Sequence, residues 1–123
     1  MAKLLIIDDE IKLREVISEF LSFVGYEVYE AKNGLKGLDK VKKIKPDLII
    51  CDITMPKLDG YGFMEQHQNS EYSIIPVLLL SANVELKDVK KGIDLGAKGY
   101  IKKPFVFKEL KKIIESNLLT NNK

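Results

Sequence analysis

Three acidic side chains stand directly after apolar runs that have the length of β-strands. Asp8 and Asp9 follow the run LLII, and Asp52 follows the run LIIC. In a parallel sheet the carboxyl ends of the strands meet at one edge, where open α/β folds bind their ligands, so we expect these carboxylates to converge. Clustered carboxylates repel one another, and a bound divalent cation removes that cost. A site made of oxygens, without clustered His or Cys, favours Mg²⁺, with Mn²⁺ or Ca²⁺ as substitutes in vitro.

Two further polar side chains occupy equivalent places after later apolar runs. Ser81 closes the run VLLL, and Lys103 follows GYIK. An aspartate carboxylate can attack phosphorus to form an acyl phosphate, while a hydroxyl and an ammonium group hold the product. Asp52, Ser81 and Lys103 match those three roles. Taken singly, Asp8 and Asp9 could be acids at a helix N-terminus and Ser81 a helix cap. Their joint placement after strands one, three, four and five favours phosphoryl chemistry.

The elements that position these residues follow from the alternation of short apolar runs with longer stretches of helical period. This alternation is typical of βα units and of a parallel sheet covered on both faces. The predicted strands are 4–7, 26–31, 47–51, 76–82 (ending at Ser81) and 99–102. Apolar side chains at helical spacing predict helices within 13–24, 35–44 and 107–118. The pair Asn33 and Gly34 predicts a turn before the second helix. The continuous run 47–51 predicts a central strand, and the alternation in 26–31 predicts a more exposed one.

Composition limits the remaining function classes. The chain has 123 residues, with 46% hydrophobic and 31% charged, which predicts one domain over 1–119 and a frayed tail at 120–123. The formal charge is only +2, and Arg14 is the sole arginine, so we expect no direct nucleic-acid binding. The sequence has neither a signal-peptide pattern nor an apolar run long enough for a membrane helix, so we expect a soluble, cytoplasmic domain without membrane contact.

Two residues with reactive or metal-ligating side chains have structural interpretations. Cys51 cannot form an internal disulfide, because it is the only cysteine, and its apolar surroundings predict a buried, inert thiol. His67 lies alone in a polar stretch, so we expect a surface residue rather than a metal ligand.

Four motifs together resemble the receiver domain of bacterial response regulators over nearly the whole chain. They are LLIIDDE, CDITMPKLDGYGFM, LLLSAN and GAKGYIKKPF. The expected fold is a doubly wound α/β domain of five βα units, with a parallel five-stranded sheet in the flavodoxin-like order 2-1-3-4-5. The resemblance implies a phosphorylation-activated switch of a two-component phosphorelay.

The resemblance also assigns the metal site and the acceptor. Asp52 corresponds to the phosphoacceptor, and Asp8 and Asp9 to the acidic pair, with Asp9 the stronger candidate for a direct Mg²⁺ ligand. The third protein ligand in the family is a backbone carbonyl two residues past the acceptor, which falls on Thr54. Mg²⁺ is therefore the expected cofactor, held by Asp8, Asp9, Asp52 and the Thr54 carbonyl.

The switch residues follow from the same resemblance. Ser81 corresponds to the switch hydroxyl, with serine in place of the commoner threonine, and Tyr100 to the aromatic switch position. Lys103 matches the lysine before proline, and that peptide bond is cis in the family. Thr54 and Asn83 lie at positions that vary and tune the lifetime of the phosphoryl group.

The implied partners are proteins. A sensor histidine kinase or a histidine phosphotransfer protein would donate the phosphoryl group from phosphohistidine. The signal would pass to a downstream protein target or to an output domain missing from this chain. The domain would catalyse its own phosphorylation and dephosphorylation rather than turn over an external substrate.

Two alternative functions remain open at this point. The first is a receiver-like interaction module that is not phosphorylated. The second is a phosphatase of the haloacid-dehalogenase-like class, whose motif needs a second aspartate where this chain has Thr54. Nucleotide binding has no support, because neither GxxxxGK nor GxGxxG occurs.

Overall fold

The computed structural model of the protein describes residues 1–82 and 85–121, the last three by their backbone only. Asn83, Val84, Asn122 and Lys123 therefore lie outside the described residues. The strands are β1 (Lys3–Ile7), β2 (Glu27–Ala31), β3 (Leu48–Asp52), β4 (Val77–Ser81) and β5 (Gly99–Lys102). The helices are α1 (Ile11–Phe23), α2 (Gly34–Ile44), α3 (Gly60–Gln68), α4 (Leu86–Asp94) and α5 (Phe107–Asn121). Every strand is followed by a helix, as the alternation in the sequence predicts.

The sheet is parallel throughout, and its strand order is β2-β1-β3-β4-β5. The predicted doubly wound, flavodoxin-like fold is therefore confirmed. Successive strand side chains point to opposite faces, and they divide the core into two layers. One layer packs Leu5, Ile49 and Leu79 beneath α2 and α3, and the other packs Leu4 and Ile50 against α1 and α5. Helices thus cover both faces, which places the strand ends at an open edge.

Burial along the strands explains their composition. Every residue of β3 and β4 is buried, whereas β2 is partly exposed except at its last residue. The predicted central strand and the predicted more exposed strand are both confirmed. Cys51 is fully buried in β3, and desolvation raises the pKa of its thiol well above the ordinary value. The predicted burial of the thiol is therefore confirmed, and a thiol held in its neutral form is a poor nucleophile.

The pair Asn33 and Gly34 lies at the predicted turn before α2, where residues 32–33 bend and Gly34 begins the helix. Asn33 is the N-cap of α2, and its side-chain oxygen accepts a hydrogen bond of 2.8 Å from the Lys36 amide. Asparagine serves in caps as well as in turns, because its short side chain can accept from nearby backbone amides. The chain thus turns before the second helix, as predicted, and Asn33 also caps that helix, a role that the sequence prediction did not include.

His67 is buried, so the expectation of a surface residue is wrong. Its ring lies parallel to that of Phe63, and its Nε2 is 2.9 Å from the Ile75 carbonyl oxygen. A carbonyl can only accept, so Nε2 carries the proton in the neutral ring. The spacing of Phe63, Met64 and His67 places them on one face of α3, and all three are buried. His67 is a structural residue of this helix.

We expect His67 to reduce stability in acid. Desolvation lowers its pKa below the ordinary 6.5, although the bond to Ile75 acts in the opposite direction. The unfolded chain therefore binds the proton more readily. The stabilisation is present above pH 6.5 and is lost as the pH falls from 6.5 toward the folded-state pKa, by at most about 1.4 kcal/mol per pH unit. Urea denaturation of the wild type and of His67→Gln should show this acid-dependent loss in the wild type only. Equal pH dependence in both proteins would contradict it.

No helix within the described part of the chain is long and apolar enough to cross a membrane.

Candidate functional site

The acidic side chains meet at the carboxyl edge of the sheet. Asp8 follows β1 and Asp52 is the last residue of β3, and these strands are neighbours with Ile7 paired to Cys51. One carboxylate oxygen from each of Asp8, Asp9 and Asp52 lies within 4.8 Å of the others. Asp8 and Asp52 are buried, whereas Asp9 is exposed. The structure thus brings together the three acids that the sequence places after separate strands.

Lys103, the residue that follows β5, completes the cluster. Its Nζ lies 2.7 Å from Asp52 Oδ1 and 3.6 Å from Asp8 Oδ2. Lys102, the last residue of β5, is exposed. The Lys103-Pro104 bond is cis, and the Lys103 amide donates a hydrogen bond of 2.8 Å to the Ser81 carbonyl. Of the two adjacent lysines, only Lys103 contacts the carboxylates.

Burial sets the electrostatics of the cluster. Desolvation raises the pKa of Asp52, although its hydrogen bond and charge interaction with Lys103 act to lower it. Desolvation also raises the pKa of Asp8, opposed by the hydrogen bond from the Glu10 amide and reinforced by the charge of Asp52. Burial acts to lower the pKa of Lys103, but the hydrogen bond to Asp52 and the charges of Asp8 and Asp52 outweigh it, so this pKa is raised. Lys103 therefore stays protonated, but its single positive charge does not balance the three carboxylates of the cluster. A bound cation would offset the remaining negative charge.

The residues of this cluster leave one buried oxygen that a hard cation would suit. Asp8 Oδ2 is buried without a hydrogen-bond partner among the described residues. Its distance of 3.6 Å from Lys103 allows an ion pair but is too long for a hydrogen bond. Asp8 Oδ1, by contrast, accepts from the Glu10 amide at 2.9 Å. A buried polar atom without a partner is costly, and a divalent cation coordinated by oxygen would satisfy it.

The acids at the end of β1 do not cap the next helix. The N-cap of α1 is Glu10, which makes no side-chain capping bond, and the first turn of α1 contains no acid. In contrast, Asp59 caps α3 by accepting a hydrogen bond of 2.8 Å from the Gly62 amide. A capping role therefore does not explain Asp8 and Asp9, which supports a metal-binding role.

The remaining predicted residues lie on β4, on β5 and in the segment after β3, with different degrees of burial. Ser81 is the buried last residue of β4, one position beyond Leu80, which pairs with Asp52. Thr54 lies exposed in the bend that follows β3. Tyr100 lies in β5 and is partly buried against the apolar layer of α2 and α3. Ser81 and Tyr100 therefore belong to neighbouring strands, and Asn83 lies outside the part of the chain that the structure describes.

Sequence reasoning missed Tyr61, which joins Tyr100 to two helices. The Tyr61 hydroxyl, on α3, donates a hydrogen bond of 3.3 Å to the Asp88 carbonyl of α4. The Lys91 ammonium lies 4.4 Å from the centre of the Tyr61 ring. Desolvation and a hydrogen bond to Tyr100 raise the pKa of Tyr61. Because the partners of Tyr61 are distant in sequence, local patterns contain no signal for this contact.

Comparison with known proteins identifies the family. The model of the response regulator receiver domain matches residues 4–115. The chain is 40% identical over 116 residues to a probable transcriptional regulator, ycf27, of Porphyridium aerugineum, covering 94% of this chain and 48% of that protein. It is 37% identical over 111 residues to the DNA-binding dual master transcriptional regulator RpaA of Synechocystis, covering 89% and 46%. The chain thus spans about half the length of the curated relatives it matches.

Solved structures agree with this relationship. Chemotaxis protein CheY4 of Vibrio cholerae has a TM-score of 0.89 and 35% identity, over 94% of this chain and 98% of that one. The receiver domain of NtrX from Brucella abortus also has a TM-score of 0.89, with 27% identity over 95% and 98% of the two chains. Sequence, fold and acidic cluster point to the same family, and the chain belongs to the response regulator receiver domains.

Proposed function

We propose that Asp52 is the phosphoacceptor of an Mg²⁺-dependent signalling switch. The observation that carries this proposal is the position of Asp52 at the sheet edge. It shares a cluster with Asp8 and Asp9, and the Lys103 ammonium lies 2.7 Å from its Oδ1. Such a cluster can hold both a cation and a phosphoryl group. The membership of the chain in the receiver family supports the assignment.

The proposed reaction is a phosphoryl transfer to a carboxylate. An oxygen of Asp52 attacks the phosphorus of a phosphohistidine on a sensor histidine kinase or a phosphotransfer protein. The new bond is P–O, the bond that breaks is P–N, and its electron pair returns to the imidazole. When bound by Asp8, Asp9, Asp52 and the Thr54 carbonyl, Mg²⁺ would offset charge on the phosphoryl oxygens. A small acyl phosphate donates in the same way, with a P–O bond broken instead.

The phosphoryl group then changes what the neighbouring residues contact. Lys103 exchanges its partner on Asp52 for a phosphoryl oxygen, and the Ser81 hydroxyl hydrogen-bonds another. The rearrangement extends to Tyr100 and alters the surface offered to a downstream protein or an output domain. Water later attacks the phosphorus, the P–O bond to Asp52 breaks with its electron pair returning to the carboxylate, and phosphate leaves. In this proposal the domain catalyses both its own phosphorylation and its own dephosphorylation.

The test of this function is intact-mass spectrometry of the full chain with acetyl phosphate. With Mg²⁺ present, the wild type should gain the mass of one phosphoryl group. The same incubation with EDTA should leave the mass unchanged. Absence of any gain with Mg²⁺ would leave the chain as an interaction module that is not phosphorylated, and a gain that persists in EDTA would exclude the metal requirement.

Replacing each of the two adjacent lysines by alanine should separate their roles. Lys103→Ala removes the cation that contacts Asp52 and Asp8, so phosphorylation should slow roughly tenfold or more. The amide NMR shifts of Ser81 and Tyr100 on adding beryllofluoride and Mg²⁺ should also largely disappear. Lys102→Ala is the matched control, because its exposed side chain makes no ion pair among the described residues. A full response in Lys103→Ala, with loss in Lys102→Ala, would reverse the assignment.

A further inference from the structure

The only arginine of the chain connects helix α1 to strand β2 and to the backbone of Asp8 in the acidic cluster. Arg14 lies on α1, and its Nη1 donates a hydrogen bond of 2.7 Å to the backbone carbonyl of Asp8. Its Nε donates a second bond, also of 2.7 Å, to the carboxylate of Glu30 on β2. The Arg14 side chain is only 15% exposed. Two short bonds in directions fixed by a planar, largely buried guanidinium make this a geometrically specific contact.

The atom that Arg14 holds belongs to the peptide between Asp8 and Asp9. The Asp8 amide already donates to the Ala31 carbonyl at 3.1 Å, and Asp8 Oδ1 accepts from the Glu10 amide. The contact with Arg14 adds a restraint on the carbonyl side. A peptide unit is planar, so fixing its carbonyl also fixes its N–H and the direction in which the chain enters Asp9.

We propose that Arg14, oriented by Glu30, is a positioning residue of the metal site. It holds the Asp8-Asp9 peptide so that both carboxylates face the shared cluster, without contacting the metal itself. This inference rests on the proposed function. Partners that orient metal ligands in this indirect way typically change metal affinity by about 10- to 100-fold when they are removed.

Because Arg14 is charged, the direction in which its substitution changes Mg²⁺ affinity tests the proposal. A guanidinium near a cation site repels the cation, so a role through charge alone predicts tighter Mg²⁺ binding when the charge is removed. A positioning role predicts the opposite. Arg14→Lys separates the two further, because lysine keeps the charge but lacks the fork that reaches both Asp8 and Glu30.

The experiment is calorimetric titration of the full chain with Mg²⁺ in the absence of phosphodonor. Both Arg14→Lys and Arg14→Gln should weaken binding about tenfold. Glu30→Gln, which leaves Arg14 in place but loosens it, should weaken binding less, and its effect should not add to that of Arg14→Gln. Lys12→Gln, an exposed change on the same helix, should bind as the wild type does. Unchanged affinity in Arg14→Lys with tighter binding in Arg14→Gln would overturn the proposal.

Two further readouts distinguish positioning from a general loss of structure. The Asp9 and Glu10 amide NMR signals should shift in the metal-free Arg14 variants, while thermal unfolding confirms that these variants are folded. Saturating Mg²⁺ should restore their rate of phosphorylation by acetyl phosphate, and a rate that stays low at saturation would contradict the inference. Should Arg14→Gln fail to fold, wild-type affinity in Glu30→Gln would overturn it. Absence of Mg²⁺ binding by the wild type would instead refute the proposed function.

Discussion

Asp52→Asn is expected to abolish phosphoryl uptake from acetyl phosphate. An amide lacks the negative charge that makes a carboxylate nucleophilic toward phosphorus, although it has nearly the same shape. Intact-mass spectrometry with Mg²⁺ should show no added phosphoryl group, while the wild type gains one. Asp39→Asn, a change at an exposed acid of α2, is the control and should gain the mass normally. A mass gain in Asp52→Asn would place the acceptor elsewhere.

Stability measurements can show that Asp52→Asn loses phosphorylation because it lacks the nucleophile and not because it unfolds. The pKa of Asp52 is raised by desolvation in the folded state, so the folded chain binds this proton more readily than the unfolded chain. Stability from this group is therefore present in acid, below the ordinary 3.8, and is lost as the pH rises through the folded-state pKa. At neutral pH the charged form costs stability. Metal-free Asp52→Asn should accordingly unfold at the same urea concentration as the wild type, or at a higher one.

Among the variants proposed for this protein, Gly60→Ala is expected to lower the free energy of unfolding most. A Cβ at position 60 would lie 2.6 Å from the Asp52 carbonyl oxygen and 2.7 Å from the Ile53 Cα. Both are backbone atoms, and the Gly60 amide also donates to the Ile53 carbonyl at 2.8 Å. The helix start and the acceptor strand must therefore move apart. We expect a loss of about 3 kcal/mol in unfolding free energy and slower phosphorylation, because the displaced backbone carries Asp52.

Gly62→Ala is the matched control in the same first turn of α3. There the added Cβ would lie 2.6 Å from Leu58 Cδ1, which is the end of a flexible side chain and can move away. Alanine also favours the helix by up to about 1 kcal/mol relative to glycine. Urea denaturation of the two variants should give a much smaller loss, or a small gain, in Gly62→Ala. Equal losses would show that general crowding, rather than the contact with Asp52, limits this turn.

The accuracy of the sequence predictions depended on whether the relevant contacts were local. Apolar runs identified the strands because a strand buried on both faces, such as β3, can only be apolar. The place of Lys103 after the fifth apolar run, together with the family motif, correctly put it beside the carboxylates. The turn at Asn33 was predicted but its capping role was not, because the same side chain serves caps and turns and only the backbone distinguishes them.

The environments of two other residues, His67 and Tyr61, were not predicted from the sequence, for different reasons. His67 lies four residues after Phe63 and three after Met64, a spacing that is typical of one buried helix face. The polar residues next to His67 led instead to the prediction of a surface residue. Tyr61 had no such signal, because its contacts with Asp88, Lys91 and Tyr100 arise only when α3, α4 and β5 are brought together. Tertiary contacts of this kind cannot be predicted from periodicity.

The weak anchoring of α4 determines where the molecule can change shape at low cost. Gly92 is its only buried residue, whereas α1, α2, α3 and α5 each bury at least three. A Cβ at Gly92 would lie 2.9 Å from Leu79 Cδ1 and 3.4 Å from the Tyr100 ring, so α4 packs on β4 and β5 through one buried residue. Elements with few buried contacts open first, at a small fraction of the global unfolding free energy. The amides of α4 should therefore exchange with solvent fastest among the helices, and a shift of this helix is the change of shape that the fold permits at the lowest cost.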